Sequence, residues 1–137
     1  MINKKIDIVI ISPCDKKETY QHLAVLSNAE PPTFALLVAQ YLLNNGISVE
    51  VLDGQFYTSE EIAEKVEQLN PVLVYSYILG NQPSASSQNC SANRKICNAI
   101  KKLNLYRVIL VAGTTPAAIP EKFLKEEPVD FACDREG

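Results

Sequence analysis

Apolar residues recur along the chain at two different periods, and these periods predict alternating strands and helices. Ile6–Ser12 is β-branched and almost continuously apolar, which is typical of a strand buried on both faces of a parallel sheet. Four later segments are also predicted to be strands; Arg107–Ala112 is again nearly all apolar, and the last segment is short. The predicted strands are Ile6–Ser12, Ser48–Asp53, Val72–Leu79, Arg107–Ala112 and Val129–Cys133.

The segments between these strands carry apolar residues at helical spacing. Pro31-Pro32 predicts the start of the first helix and Asn45-Gly46 its end, because Pro fits a first helical turn and Gly a left-handed cap. Thr58 and Glu61 have the spacing of a capping box. The expected buried stripes are Phe34, Leu37, Val38, Tyr41 and Leu42, then Ile62, Val66 and Leu69, then Ile96, Ile100 and Leu103; a short helix from Pro120 holds Phe123 and Leu124.

Alternation of buried strands with helices predicts an α/β fold. We expect residues 1–137 to form one domain with a flavodoxin-like or Rossmann-like, doubly wound parallel sheet of five strands, in the order 2-1-3-4-5. After Cys133 the sequence offers only Asp134–Gly137, which is too short for a helix beside the fifth strand. We therefore expect this chain to be the N-terminal part of a longer polypeptide.

Charge and hydropathy limit the classes of partner. The net charge is −3 and Lys and Arg form no block, so no nucleic-acid partner is expected. The apolar runs are too short to cross a bilayer, so no membrane partner is expected. The first apolar run is interrupted by Asp7 and lacks a signal-peptide cleavage site, which favours a cytoplasmic protein.

The cysteines and the single histidine suggest no catalytic or metal centre. Cys14, Cys90, Cys97 and Cys133 contain no C-x-x-C pair, so we expect reduced thiols and no metal site in this chain. A cysteine nucleophile would need a histidine nearby. His22 lies in the long connection after the first strand, where a solvent-facing side chain is expected.

The expected ligand site is the edge where the strands end, because open α/β sheets bind ligands beyond their carboxyl ends. Three loops reach this edge: Ser12-Pro13-Cys14-Asp15, Gly80–Gln88 and Gly113–Pro116. Glycines there would let a ligand approach the backbone, and small hydroxyl side chains would offer hydrogen bonds without bulk. A dinucleotide site is not predicted, because the first loop has no G-x-G-x-x-G motif.

Three stretches together resemble a known family. They are EPPTFALLVAQYLLNNGISVEVLD at 30–53, GNQPSASSQN at 80–89 and ILVAGTTPAAIPEKFLKEEPVDFACDREG at 109–137. Their order and spacing resemble the N-terminal cobalamin (B12)-binding domain of B12-dependent radical S-adenosylmethionine enzymes, over nearly the whole chain. The resemblance departs from many cobalamin domains after Asp15, where Lys16 and Lys17 stand and no histidine could bind cobalt from below.

The resemblance implies cobalamin as the cofactor of this chain. Ser76 would hydrogen-bond the buried nucleotide tail, and Gly113 would let the tail pass close to the backbone. From the resemblance together with the loops at the carboxyl edge, the expected cofactor-binding residues are Ser12, Pro13, Cys14, Pro32, Thr33, Ser76, Tyr77, Gly80, Asn81, Gln82, Ser84, Gly113, Thr114 and Thr115.

The resemblance also implies a partner, a radical S-adenosylmethionine domain of the same polypeptide. The cysteines lack the C-x-x-x-C-x-x-C spacing for a [4Fe-4S] cluster, so the cluster and S-adenosylmethionine are expected only in the remainder. This chain alone would not be an enzyme, and the whole protein would perform a radical reaction such as methyl transfer. Two alternatives stay open: an interaction or scaffold domain that has lost its ligand, and a binder of another small molecule, such as a nucleotide sugar, in the crevice at this same carboxyl edge of the sheet.

Overall fold

A computed structural model describes residues 5–14, 16, 21–26, 29–79 and 83–135. Strands and helices alternate along it, as predicted, and a short 3-10 helix, Gln21–Leu26, lies in the long first connection. In chain order the other elements are β1 (Ile8–Ser12), α1 (Thr33–Asn44), β2 (Val49–Asp53), α2 (Ser59–Leu69), β3 (Leu73–Ile78), α3 (Pro83–Leu103), β4 (Ile109–Gly113), α4 (Thr114–Ala118), α5 (Pro120–Glu126) and β5 (Phe131–Ala132).

The five strands form one parallel sheet in the order β2-β1-β3-β4-β5, which confirms the predicted flavodoxin-like fold. The order reverses between β1 and β3, where Ile8 pairs with Leu73. At the carboxyl edge, Ile78 of β3 pairs with Gly113 of β4. This register decides which side chains of neighbouring strands share a face.

The two faces of the sheet are covered unequally. On the first face, Val9, Ile11, Val74 and Ile109 pack with apolar residues of α2 and α3 in the main core, and α5 adds Phe123 to a smaller cluster there. On the second face, α1 packs on Ile10 and Tyr75 through two small residues, Ala35 and Ala39. Phe131 of β5 lies on this second face and is 58% exposed, because α1 does not reach it.

The helix ends follow local sequence. Thr58 caps α2 by accepting from the Glu61 backbone N–H, and the Glu61 carboxylate accepts from the Thr58 N–H, so the capping box is confirmed. Asn70 ends α2 in the left-handed conformation (φ 44°). Gly46 adopts φ 79° just after α1, as expected of a glycine that ends a helix.

Two predicted stripes are partly wrong. In α1, Phe34, Leu37 and Tyr41 are exposed, because the helix packs through its alanines and lies close to the sheet. In α3, Ile96 and Ile100 are buried but Leu103, in the last turn, is exposed. The predicted break at Gly113–Pro116 is also different, since Gly113 still belongs to β4 and the next residues form α4.

Candidate functional site

The carboxyl ends of β1, β3 and β4 lie at one edge of the sheet, where the sequence predicts the site. Ser12 is the last residue of β1, and Gly113 is the last residue of β4. The predicted residues Gly80, Asn81 and Gln82 lie outside the described residues. Ser84 belongs to the first turn of α3, and its side chain lies outside the described part of the chain.

Ser76 is fully buried on the first face of the sheet, beneath α3. Its hydroxyl donates to the Oδ1 atom of Asn93, in the middle of α3, at 2.6 Å. The Cys97 thiol, one turn further along α3, lies 3.5 Å from the same oxygen. The Ser76 hydroxyl, the Asn93 amide and the Cys97 thiol are enclosed by the apolar core, so the low dielectric there strengthens the hydrogen bonds between them.

Gly113 allows the closest backbone approach at this edge. A Cβ atom on Gly113 would lie 1.9 Å from the carbonyl oxygen of Ile78, and its φ of 124° is one that other residues rarely adopt. The residue must therefore be glycine for β3 and β4 to end side by side. After it, Thr114 is exposed and Thr115 is half-buried.

Thr115 contacts a cysteine of α3 at the same edge. Burial raises the pKa of the Cys90 thiol, while a hydrogen bond with Thr115 has the smaller, opposite effect on that pKa. Asn89, next to Cys90, donates through Nδ2 to the carbonyl of Leu79 at 3.2 Å. The start of α3 is thereby joined to the end of β3.

The remaining predicted residues lie elsewhere along the edge. Tyr77 points to the second face, where its ring stacks on Phe34 of α1 with ring centroids 6.3 Å apart. Thr33 starts α1 and is exposed. Ser12 lies beside the loop after β2, since its carbonyl accepts from the Gly54 N–H at 2.9 Å. Adjacent residues such as Ser76 and Tyr77 therefore lie on opposite faces of the sheet, and the predicted cofactor-binding residues are distributed over both faces.

A crevice of about 820 Å³ opens beside the carboxyl ends of β1 and β2. Cys14 is a predicted residue that lines it, together with Lys16, Phe56, Tyr57, Lys95 and Ile96. Gln55, also in the lining, accepts from the Lys16 ammonium at 3.4 Å and donates to the buried Asp53 carboxylate at 3.0 Å. The Lys65 ammonium lies 4.8 Å from the centre of the Tyr57 ring. The lining thus combines aromatic rings, amides and cations.

Sequence reasoning missed Asn93. This residue is fully buried, yet its Nδ2 atom has no hydrogen-bond partner in the described part of the chain. A signal was present, because Asn93 precedes Ile96, Cys97 and Ile100 at helical spacing and so places an amide on the apolar stripe of α3. Polar residues on such stripes are worth inspecting, since buried polar groups are nearly always paired.

Other classes of site are not evident in the residues that the structure covers. There, no group of three or more His, Cys, Asp or Glu side chains could hold a metal ion, and no helix is long and apolar enough to span a bilayer. None of the four cysteines, which all lie within the described residues, forms a disulfide bond. His22 is exposed on the 3-10 helix.

The buried thiol of Cys97 and the buried phenol of Tyr75 predict that the chain loses stability at alkaline pH. Burial is the main cause that raises the pKa of the Cys97 thiol to about 12, from an ordinary 9.0. Burial likewise raises the pKa of Tyr75 to about 12, from 10.0, with smaller effects of Cys133 and Tyr77. Between pH 9 and 12 the unfolded chain loses the Cys97 proton first, so stability falls by about 1.4 kcal/mol per pH unit, and Tyr75 adds a smaller loss between pH 10 and 12.

Urea unfolding at a series of pH values measures this loss. The unaltered chain should show constant contributions from both groups below pH 9 and a falling free energy of unfolding above it. Cys97→Ala removes one of the two groups, so its free energy should fall less steeply from pH 9 to 11. Equal slopes for the two proteins would contradict the raised thiol pKa.

No family model, curated protein or solved structure matches this chain. Its function has therefore to be inferred from its residues and their geometry.

Proposed function

We propose that this chain is a cytoplasmic cobalamin-binding module, which holds and orients the cofactor for a radical S-adenosylmethionine reaction, such as methyl transfer, carried out by a further domain of the same polypeptide. When it is bound, cobalamin supplies the group-transfer chemistry, and the protein supplies binding and orientation. The resemblance of three sequence stretches to such domains motivates the proposal, and the fold is compatible with it.

The adjacency of Ser76 and Gly113 is the observation that supports the proposal most. β3 and β4 are parallel neighbours, and Gly113 pairs with Ile78, two residues beyond Ser76. Ser76, Ile78 and Gly113 therefore share one face at the carboxyl edge, which is the edge where α/β sheets bind ligands. These are the two residues to which the resemblance assigns contacts with the nucleotide tail.

The chemistry of this region fits a buried, largely neutral group. Ser76 and Asn93 are fully buried, and an unpartnered amide nitrogen remains between α3 and the sheet. Gly113 is weaker support for a cobalamin site, because the close approach of the Ile78 carbonyl already requires a glycine there. In this proposal Ser76 holds the tail, and Thr114 and Thr115 lie at the rim. Lys16 and Lys17 directly follow Asp15, so the position from which a histidine would bind cobalt holds a lysine.

Titration with hydroxocobalamin tests the proposal. We expect saturable binding in visible absorbance and calorimetry, with a base-off spectrum, because the tail would leave cobalt and enter the protein. Ser76→Ala should weaken binding about tenfold, the effect of one lost hydrogen bond of about 1.4 kcal/mol. Ser91→Ala, the same change at an exposed position of α3, is the control and should bind like the unaltered chain.

The crevice supports a second candidate, the binding of another small molecule. Its volume of about 820 Å³ lies within the range typical of ligand pockets. Phe56 and Tyr57 would offer aromatic surface, and Gln55 an amide, to a nucleotide-like ligand. Tyr57→Leu separates the two candidates. If it weakens the binding of a ligand whose affinity Ser76→Ala leaves unchanged, the crevice is the binding site. If the unaltered chain does not bind hydroxocobalamin at all, the first proposal is contradicted.

A further inference from the structure

Asn93 carries a hydrogen-bonding group that the fold itself does not use. Its Oδ1 atom is within reach of the Ser76 hydroxyl at 2.6 Å and of the Cys97 thiol at 3.5 Å. Its Nδ2 atom has no partner among the described residues, although the side chain is fully buried. An unpaired buried amide nitrogen is costly, so apolar residues at both Asn93 and Ser76 would be the better choice for stability alone.

The orientation of this amide follows from its partners. A distance of 2.6 Å suits an O–H donor on a carbonyl oxygen and is short for an N–H donor. Two donors, the hydroxyl and the thiol, therefore converge on Oδ1. The opposite orientation would leave the carboxamide oxygen without a partner, so one polar atom of Asn93 stays unsatisfied in either case.

We propose that Asn93 is a ligand-binding residue whose amide nitrogen donates a hydrogen bond to a neutral acceptor, such as an unprotonated ring nitrogen or a carbonyl, on the buried part of the ligand. This inference rests on the proposed function, in which the buried part is the nucleotide tail of cobalamin. It assigns to α3 a recognition role beside the one that the resemblance gives to Ser76.

Charge supports the choice of a neutral acceptor. The nearby Cys97 thiol stays protonated at neutral pH, because burial raises its pKa to about 12. The neighbouring cation on α3, Arg94, is exposed and pairs with Glu127 through its guanidinium. Lys101, whose charge acts on Cys97, is paired with Asp130 at 2.8 Å. A buried phosphate beside Asn93 would therefore meet an amide and cations that already have carboxylate partners, whereas a heterocycle or carbonyl would pair fully with the amide.

The hydroxyl of Ser76 is positioned by the same contact. Because its hydrogen points to Asn93, Ser76 offers only its lone pairs to a ligand. Asn93 thus sets the polarity of both groups, with one acceptor from Ser76 and one donor from its own amide. Both side chains are fully buried beneath α3, so a ligand reaches them only if α3 shifts relative to the sheet.

Two probes that differ only in the tail test this inference by calorimetry on the full chain. Hydroxocobalamin carries the nucleotide tail, and cobinamide carries the corrin without it. Asn93→Leu keeps the approximate volume and removes the amide. We expect it to lower the affinity for hydroxocobalamin about tenfold or more and to leave the affinity for cobinamide within about twofold. The control Asn98→Leu, at an exposed position of the same helix, should change neither.

The outcomes separate the inference from the proposed function. If the unaltered chain binds hydroxocobalamin and Asn93→Leu binds it equally well, or loses both probes equally, Asn93 does not recognise the tail and the proposed function stands. If the unaltered chain binds neither probe, both fail. Should Asn93→Leu not fold, the double variant Ser76→Ala, Asn93→Leu replaces both polar partners, which is nearly neutral for stability, and it is compared with Ser76→Ala alone. Weaker binding of hydroxocobalamin by the double variant than by Ser76→Ala, with cobinamide unchanged, supports the inference, and equal binding by the two variants contradicts it.

Discussion

Replacing Gly113 with alanine is expected to remove about 2–5 kcal/mol from the free energy of unfolding, a large part of the stability of a small domain. Its Cβ would lie 1.9 Å from the Ile78 carbonyl oxygen, and the φ of 124° adds strain. The clash is with backbone of a buried strand, so it can be relieved only by moving β3 or β4. Urea unfolding followed by circular dichroism measures the loss.

Gly46→Ala is the matched control for this prediction. Gly46 also has positive φ, at 79°, but a Cβ there would meet no atom within 4 Å. Alanine should therefore cost only the backbone strain, about 1–2 kcal/mol. Equal losses at the two positions would mean that the close approach of β3 and β4 is not what requires Gly113. A bulky substitution at Gly113 is also a poor test of ligand binding, because it removes the fold.

Removing the Arg107 guanidinium is expected to cost about 3 kcal/mol or more. Arg107 is 7% exposed and donates to the Glu67 carboxylate at 3.0 and 3.1 Å, to the carbonyl of Pro71 at 2.7 Å and to Asn70 Oδ1 at 3.1 Å. It thereby joins the start of β4 to the left-handed turn that ends α2. Arg107→Met would keep the apolar stem and leave these acceptors unpaired.

Thermal and urea unfolding of Arg107→Met give the size of this effect. Lys122→Met is the control, since the Lys122 and Glu126 side chains are exposed and 4.0 Å apart. An exposed pair of this kind contributes about 1 kcal/mol at most. Arg107→Lys should not restore stability, because an ammonium cannot bond three acceptors in the planar arrangement of a guanidinium. A loss below 1 kcal/mol for Arg107→Met would contradict the network's role.

The fold could be predicted because its strands are unambiguous. Runs such as Ile8–Ser12 and Ile109–Gly113 are β-branched and buried on both faces, and right-handed crossovers leave few orders for five parallel strands. The helix faces were harder. Spacing alone favoured Phe34 and Leu37 in α1, yet the alanines face the sheet, because a helix packs closest to a sheet face with large side chains such as Tyr75 through small residues.

The candidate site was predictable only in its position at the carboxyl edge. Sequence proximity grouped Ser76 with Tyr77, although successive strand residues point to opposite faces. The pairing of Ser76 with Asn93 joins residues 17 positions apart, and no local pattern encodes such a contact. The network of Arg107 with Glu67 spans 40 positions and was missed for the same reason. These contacts depend on how α2 and α3 pack on the sheet.

Amide and side-chain N–H chemical shifts of the ¹⁵N-labelled chain, recorded while hydroxocobalamin is added, report whether cobalamin binds beside Ser76. We expect saturable changes at the Asn93 side-chain amide and at the backbone of Gly113, Thr114 and Thr115, with Leu105 and Tyr106 at the opposite edge unchanged. Unchanged spectra, or changes confined to Phe56 and Tyr57 in the crevice, would contradict a cobalamin-binding module with its tail beside Ser76.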